Sequence, residues 1–406
     1  MGTRITSPSW REAGKRTAMY SYFGENYPWN MALLMAENIG ASLAEIDEAC
    51  RPLRDNAPGS GSGKAEEDWW NSWFKVATRV HGLAEKDKAA GRAFSASDKF
   101  RRACAYYLTA ERMASHHDPR KMQAYDLMLD VFRESVVLAG EPLEFVNIPY
   151  ENVELPALFE KPRTSGQSPC VIVFDGFDAP KEFGYLGSIH KALLRRNVAA
   201  LHVDHPGVGA ALRKLGMPAI KDMERPATAS LEWLLRRGDI DPKRIGIIAP
   251  SLGGYYAARA AAFEPRLACC VAWGARFDND GSHGRILRNP NAARSLSDWV
   301  DHAMWYYGTN TVEETATAIA AMNLDGGVME RIRCPLLVAH GAHDRQVPIE
   351  QAHTMVDRAV NAPRRDLKLF YPDEGGVEHC GVDNMTVQTD FMADWIAEIL
   401  GGRLGP

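Results

Sequence analysis

From Leu143 onward the chain alternates short, almost wholly apolar runs with helical segments, and this alternation restricts the possible folds more than any other feature. The runs are LEFVNIP, VELPALFE, CVIVFDG, VAALHVD, RIGIIAP, LACCVAWG, CPLLVAHG and, later, LKLFYP. The first two read as an antiparallel pair. The others are too continuously apolar to leave one face in water, so helices must cover both faces. That is the signature of a doubly wound, mostly parallel sheet in an α/β protein. In such sheets the reactive side chains stand beyond the carboxyl ends of the strands. The loops after each run are therefore where chemistry is expected.

The first 140 residues read differently. Leu33, Leu34, Ile39, Leu43 and Ile46 recur at helical spacing within Asn30–Cys50. A Gly/Ser-rich break over Asn56–Lys64 precedes a second helix carrying Trp69, Trp70, Trp73, Phe74 and Val80. A third helix holds Phe100, Tyr106, Tyr107 and Met113, and a fourth runs over Pro119–Val137. No strand signal and no repeat is visible there. The expected organisation is a helical N-terminal domain over 1–140 that covers the substrate, and a catalytic domain over 141–406. Residues 278–324 of the latter, between two strands, form a helical lid insertion.

The strand RIGIIA runs into Pro250-Ser251-Leu252-Gly253-Gly254 and then the helical YYAARAAAF. A serine on a sharp strand-to-helix turn needs small residues two before and two after it, so that strand and helix can approach. Ala249 and Gly253 meet that need, with alanine in place of the first glycine of G-x-S-x-G. Such a turn lifts the hydroxyl over the sheet edge and points the first N–H groups of the helix at the same spot. A plainer role for Ser251 is to cap the helix.

A serine nucleophile needs a base and an acid that orients the base, here expected in the order serine, acid, histidine. Asp344 follows the strand CPLLVAHG, and His379 follows LKLFYP in a glycine-containing loop. Asp278, Asp280, Asp325, Asp373 and Glu374 are rival acids, and His340 and His343 rival bases. Asp344 and His379 have the better strand context.

Three segments carry a resemblance to a known family: Gly176-Phe177-Asp178-Ala179-Pro180-Lys181-Glu182, Asp204-His205-Pro206-Gly207-Val208-Gly209, and Ser251-Leu252-Gly253-Gly254-Tyr255-Tyr256. Together they resemble the FrsA-like α/β-hydrolases, the group of the 2,6-dihydroxypseudooxynicotine hydrolase and the Ayg1-like polyketide-shortening hydrolases. The resemblance extends to a helical N-terminal region with FRRACAYYLTAERM. It implies the α/β-hydrolase fold and an oxyanion hole made by the backbone N–H groups of Phe177 and Leu252. Asp178, Lys181 and Glu182 would fix that loop, and Gly207 and Gly209 read as turn residues. Ala210 stands where relatives carry an acid. Some members cleave a carbon–carbon bond next to a ketone, and others are esterases.

The implied reaction is hydrolysis at such a ketone in an aromatic or polyketide-like small molecule. A carboxylesterase, thioesterase or acyltransferase would use the same residues. A regulatory binding protein on a hydrolase scaffold is the alternative from another class. Tyr27, Trp29, Trp73, Trp305 and Arg285 are candidate substrate contacts, and the aromatic ones favour an apolar or aromatic substrate. A net charge of −5 without a basic tract argues against nucleic acid. No apolar run has bilayer length. Seven scattered cysteines without a CxxC motif fit reduced thiols in a cytoplasmic protein. The start of the chain lacks a secretory core, and Gly2 and Thr6 match only the loose acylation pattern. No cofactor is expected: the glycine-rich segment lacks a dinucleotide fingerprint. No metal is expected either, because His116 and His117 would diverge as neighbours on a helix. A homodimer through the helical region is compatible with the sequence.

Overall fold

A computed structural model describes residues 4–5, 19–54, 63–177 and 179–405. The chain divides into two compact units, one of Met19–Leu143 with Ala293–Trp305, the other of Met1–Ala18, Glu144–Ala292 and Tyr306–Pro406.

The second unit holds one nine-stranded sheet. In chain order its strands are β1 (Arg4–Ile5), β2 (Glu144–Tyr150), β3 (Val153–Glu160), β4 (Ser168–Val173), β5 (Ala199–Val203), β6 (Ile240–Pro250), β7 (Cys269–Trp273), β8 (Leu336–Gly341) and β9 (Arg365–Phe370). Across the sheet they run β1-β9-β8-β7-β6-β4-β5-β3-β2. The β2–β3 and β3–β5 pairs are antiparallel, and every other pair is parallel. Every residue of β4, β5, β7 and β8 is buried, as a strand covered on both faces requires. Edge strand β2 alternates instead between exposed and buried residues towards its end. On one face Val171, Val173, Ile248, Val271 and Leu337 pack with Leu193, Met392 and Ile396, from the helices Ser188–Arg195 and Met385–Leu400. At roughly 25 cal/mol per Å² of apolar surface removed from water, that contact stabilises the packing of both helices on the sheet.

The helical unit contains α1 (Tyr27–Asn38), α2 (Leu43–Cys50), α3 (Gly63–Ala89), α4 (Ala93–Arg112) and α5 (Pro119–Ala139). Two expectations are corrected. The single helix over Asn30–Cys50 is two, because Gly40 takes a left-handed φ of +98° between them. The first 140 residues do contain a strand, β1, which adds in parallel to β9 through Arg4–Leu367 and Ile5–Lys368. A two-residue strand is too short to show periodicity. Most of the Gly/Ser-rich break, the Gly2/Thr6 pattern and Asp178 lie outside the described residues.

The excursion after β7 is closed at its base. Asp278 bridges to Asn323, the N–H of Asn279 donates to Met322 O, and that of Leu324 to Phe277 O. Among the described residues no helix is long and apolar enough to cross a membrane. All seven cysteines are buried, and none is joined in a disulfide.

Candidate active site

Ser251 sits on the turn between β6 and the helix Gly253–Phe263 with φ +60°, a conformation that costs a non-glycine residue about 1–2 kcal/mol. Its N–H is tied to Trp273 O at 2.7 Å, and its carbonyl accepts from Gly254 N at 2.9 Å. The need for small neighbours is visible directly: a Cβ on Gly253 would lie 2.6 Å from the Cβ of Ala249. Alanine at 249 is tolerated because 253 is glycine.

Asp344 stands in the loop after β8, and His379 opens a short 3₁₀ turn after β9. Gly341 brings the two loops together, since a Cβ there would meet the carbonyl of Val377 at 2.2 Å. His343 N also donates to Val377 O at 2.9 Å. The result is a linear relay. His379 Nδ1 lies 2.7 Å from Asp344 Oδ2, and His379 Nε2 lies 2.8 Å from Ser251 Oγ. The other Asp344 oxygen accepts the backbone N–H groups of Gln346 and Val347 at 2.8 and 2.9 Å. A carboxylate can only accept, so Nδ1 of His379 carries the proton and Nε2 is left to accept from the serine.

Both groups are almost wholly buried, Asp344 at 1 % and His379 at 2 % side-chain exposure. Burial alone would push the Asp344 carboxyl up. The charge and hydrogen bond of His379, with help from His340 and Val347 N–H, hold it well below the carboxylate range. Burial would likewise depress His379, and the adjacent Asp344 lifts it above an ordinary imidazole. Of the rivals, His340 points Nε2 at Val347 O, 3.2 Å away. Asp278 caps the turn at Asp280 and Gly281, and Glu374 pairs with Lys368.

The loop after β4 runs close under Ser251. A Cβ on Gly176 would lie 2.9 Å from both Pro250 O and Ser251 Cβ, so only glycine fits without displacement. Phe177 follows it. The N–H of Leu252 has no acceptor among the described residues, as is usual for the first N–H groups of a helix, which have no partner within it. Behind the loop, Lys181 donates to Asp204 through both N and Nζ, each at 2.8 Å, and Nζ lies 2.7 Å from Glu182. Asp204 also accepts Ala210 N at 2.8 Å. Gly209 is there because a Cβ would lie 1.9 Å from that same carboxylate.

Of the expected substrate contacts, Tyr27, Trp29, Trp73 and Trp305 belong to the helical unit and Arg285 to the other. Trp29 and Trp73 are buried in the helical unit and pack through Trp69, with centroid distances of 5.0 and 5.4 Å. Tyr27 is buried at the start of α1. Trp305 stacks on His116 at 5.3 Å. Arg285 donates to Arg345 O and Gln346 O, bracing the loop that carries Asp344. The premise that His116 and His117 diverge on a helix is corrected: they stand in the turn after α4, their ring centroids 3.8 Å apart, and with Asp301 they form a tight group. His116 Nδ1 and Ser115 Oγ each lie 3.0 Å from Asp301 Oδ2, so the group is satisfied by its own hydrogen bonds.

Sequence reasoning missed Arg276, Asn279 and Ser282, which belong to a buried polar layer beside Phe177. The Phe177 ring lies 4.6 Å from both His283 and Tyr306. His283 Nδ1 lies 2.8 Å from Tyr307 OH, which accepts from Asn279 at 2.9 Å. Asn279 and Ser282 in turn accept from Arg276. One signal was available: Arg276 is a charge directly after a fully apolar strand, in WGARF.

Comparison with known proteins places residues 211–403 under the model of the prolyl oligopeptidase family. The 2,6-dihydropseudooxynicotine hydrolase of Paenarthrobacter nicotinovorans is 27% identical over 348 residues, covering 84% of this chain and 88% of its own. Hydrolase ORFZ of Pyricularia oryzae is 29% identical over 385 residues, with 84% and 88% covered. The crystal structure of the 2,6-dihydroxy-pseudo-oxynicotine hydrolase superposes with a TM-score of 0.72 at 25% identity, covering 93% of this chain and 97% of that one.

Proposed function

The chain is a hydrolase of the α/β-hydrolase fold, and we propose that it cleaves a carbon–carbon bond next to a ketone in an aromatic or polyketide-like small molecule, with Ser251 as nucleophile, His379 as base and Asp344 as the acid that orients it. The observation that carries this reading is the unbroken relay from Asp344 to His379 to Ser251, at 2.7 and 2.8 Å, ending on a serine held at φ +60°.

In this mechanism Ser251 Oγ adds to the ketone carbon while His379 Nε2 takes its proton. The N–H groups of Phe177 and Leu252 hold the developing oxyanion. Collapse of the adduct breaks the carbon–carbon bond. The electron pair leaves onto carbon, delocalised into a neighbouring carbonyl or a hydroxylated ring, and His379 returns the proton there. Water, activated by the same histidine, then cleaves the acyl-serine. One water is consumed and a carboxylic acid is released. Choice of a ketone over an ester is supported by the likeness to a hydrolase named for 2,6-dihydropseudooxynicotine across most of both chains. It is supported too by the loop motifs of a group in which some members cleave carbon–carbon bonds.

The test is turnover of aryl ketones and β-diketones alongside aryl esters of similar size, by the protein and by Ser251→Ala, read by mass spectrometry. Serine-dependent cleavage of a ketone at carbon is the expected result. Cleavage of esters alone would replace this reading with an esterase. Ketone cleavage that survives Ser251→Ala would remove the serine mechanism.

A further inference from the structure

Arg276 is a fully buried charge of the second unit that the mechanism above leaves without a purpose. It follows β7 by three residues, on the segment that packs against the serine turn. A Cβ on Gly254 would lie 3.3 Å from Arg276 N, and one on Gly274 would lie 3.3 Å from Ser251 N. The side chain is fully buried. A guanidinium stays charged in a protein and offers five N–H donors in a flat fork. Here Nη1 is spent on Asn279 Oδ1 at 3.2 Å and Ser282 Oγ at 2.9 Å. Both acceptors are neutral. Nε and Nη2 are buried and have no hydrogen-bond partner among the described residues. No carboxylate forms an ion pair with Arg276 among the described residues, although Asp344 is near enough to favour its charge against the penalty of burial.

Burying a charge with no counter-ion is among the costlier things a fold can do. The unpartnered atoms are not scattered: Nε and Nη2 form one edge of the fork, the edge that binds two parallel oxygens of a planar anion. The opposite side is fixed by Asn279, which precedes a π-helical turn (Asp280–Gly284), and by Ser282 within it, a conformation that recurs at functional sites. The same buried layer reaches Phe177 through Tyr307 and His283.

We propose that Arg276 is a specificity-determining residue whose Nε/Nη2 edge receives a planar, negatively charged oxygen pair of the substrate. The inference rests on the reading of Ser251, His379 and Asp344 given above. The chemistry fits two sources: a carboxylate on the substrate, or the enolate of a 1,3-dicarbonyl.

Two measurements test it, using the full chain, Arg276→Met and Arg276→Lys. The first compares kcat/KM for 1-phenyl-1,3-butanedione with that for its 2,2-dimethyl analogue, which cannot form the enolate between its carbonyls. The ratio is expected to fall about 100-fold in Arg276→Met and to recover in part in Arg276→Lys. An unchanged ratio overturns the enolate source. The second needs no turnover: the melting temperature is followed with salicylate, a planar carboxylate, and with neutral 2-methoxybenzamide. Salicylate alone should raise it in the unmodified chain and in Ser251→Ala, but not in Arg276→Met. Failure of salicylate to stabilise the unmodified chain, or equal stabilisation of Arg276→Met, overturns the proposal. Because Ser251→Ala takes part only in the binding measurement, a wrong mechanism and a wrong role for Arg276 give different results.

Discussion

Replacing Asp344 by asparagine changes one atom and should disable the relay by turning a proton around. Asp344 Oδ1 accepts two backbone N–H groups, from Gln346 and Val347, while Oδ2 faces His379 Nδ1. An amide has one acceptor and one donor. Its oxygen must stay on the two N–H groups, since the reverse would set three donors against one another. The amide NH₂ then faces His379 and forces Nδ1 to accept, so the imidazole proton moves to Nε2, opposite Ser251. In that tautomer the histidine cannot take the serine proton. Loss of this function costs about 10⁴-fold in kcat, or about 5.5 kcal/mol of barrier. The fold should lose far less, because both backbone bonds survive and no buried charge is left alone. Stopped-time product assays on whichever aryl ketone, β-diketone or aryl ester the unmodified protein turns over, with urea unfolding of the same preparation, separate the two. A fall in kcat of less than tenfold with the fold intact would refute the assignment of Asp344.

Three further outcomes follow from the same geometry. Gly176→Ala puts a methyl 2.9 Å from Pro250 O, so the loop must retreat by roughly 0.5 Å to reach ordinary contact. That displaces Phe177 N–H, and kcat should drop about 10–100-fold with KM less affected; wild-type kcat would remove Phe177 from the oxyanion hole. Lys181→Met strands the carboxylates of Asp204 and Glu182 in the interior. It should cost about 3–5 kcal/mol in urea unfolding, and a loss under 1 kcal/mol would show that the cluster is not holding the loop. Activity should depend on pH through His379, which must be neutral to act. Asp344 raises its pKa, so the acid limb of kcat/KM should lie above the ordinary imidazole value near 6.5. The stability gained from the protonated form is present below the unfolded pKa and is lost as pH rises through the folded one. A limb at or below 6.5 would contradict the coupling.

What could be read in the sequence is what side-chain composition encodes. Strands buried on both faces must be apolar throughout, so β4, β5, β7 and β8 announce themselves. The serine turn is legible because steric need at 249 and 253 leaves few residue choices. Asp344 and His379 could be chosen because the loops after parallel strands were already the place to look. Other features depend on backbone or long-range contact and leave little trace. Strand β1 gains its place from backbone pairing with β9. The break at Gly40 is one left-handed residue inside a convincing helical pattern. The proximity of His116 to His117 follows from a turn that the apolar spacing does not mark. The open edge of Arg276 appears only once Asn279 and Ser282 are seen to occupy the other side.

The bridge between Asp278 and Asn323 has a bearing on how such a chain changes over generations. With both ends of the excursion already pinned together, lengthening what lies between costs little closure entropy, about 0.6 kcal/mol for each doubling in length. The strands that end beside Ser251, Asp344 and His379 would not register the change. Insertions that spare Arg285, His283, Tyr306 and Tyr307 can accumulate while the sheet and the loops it carries stay as they are.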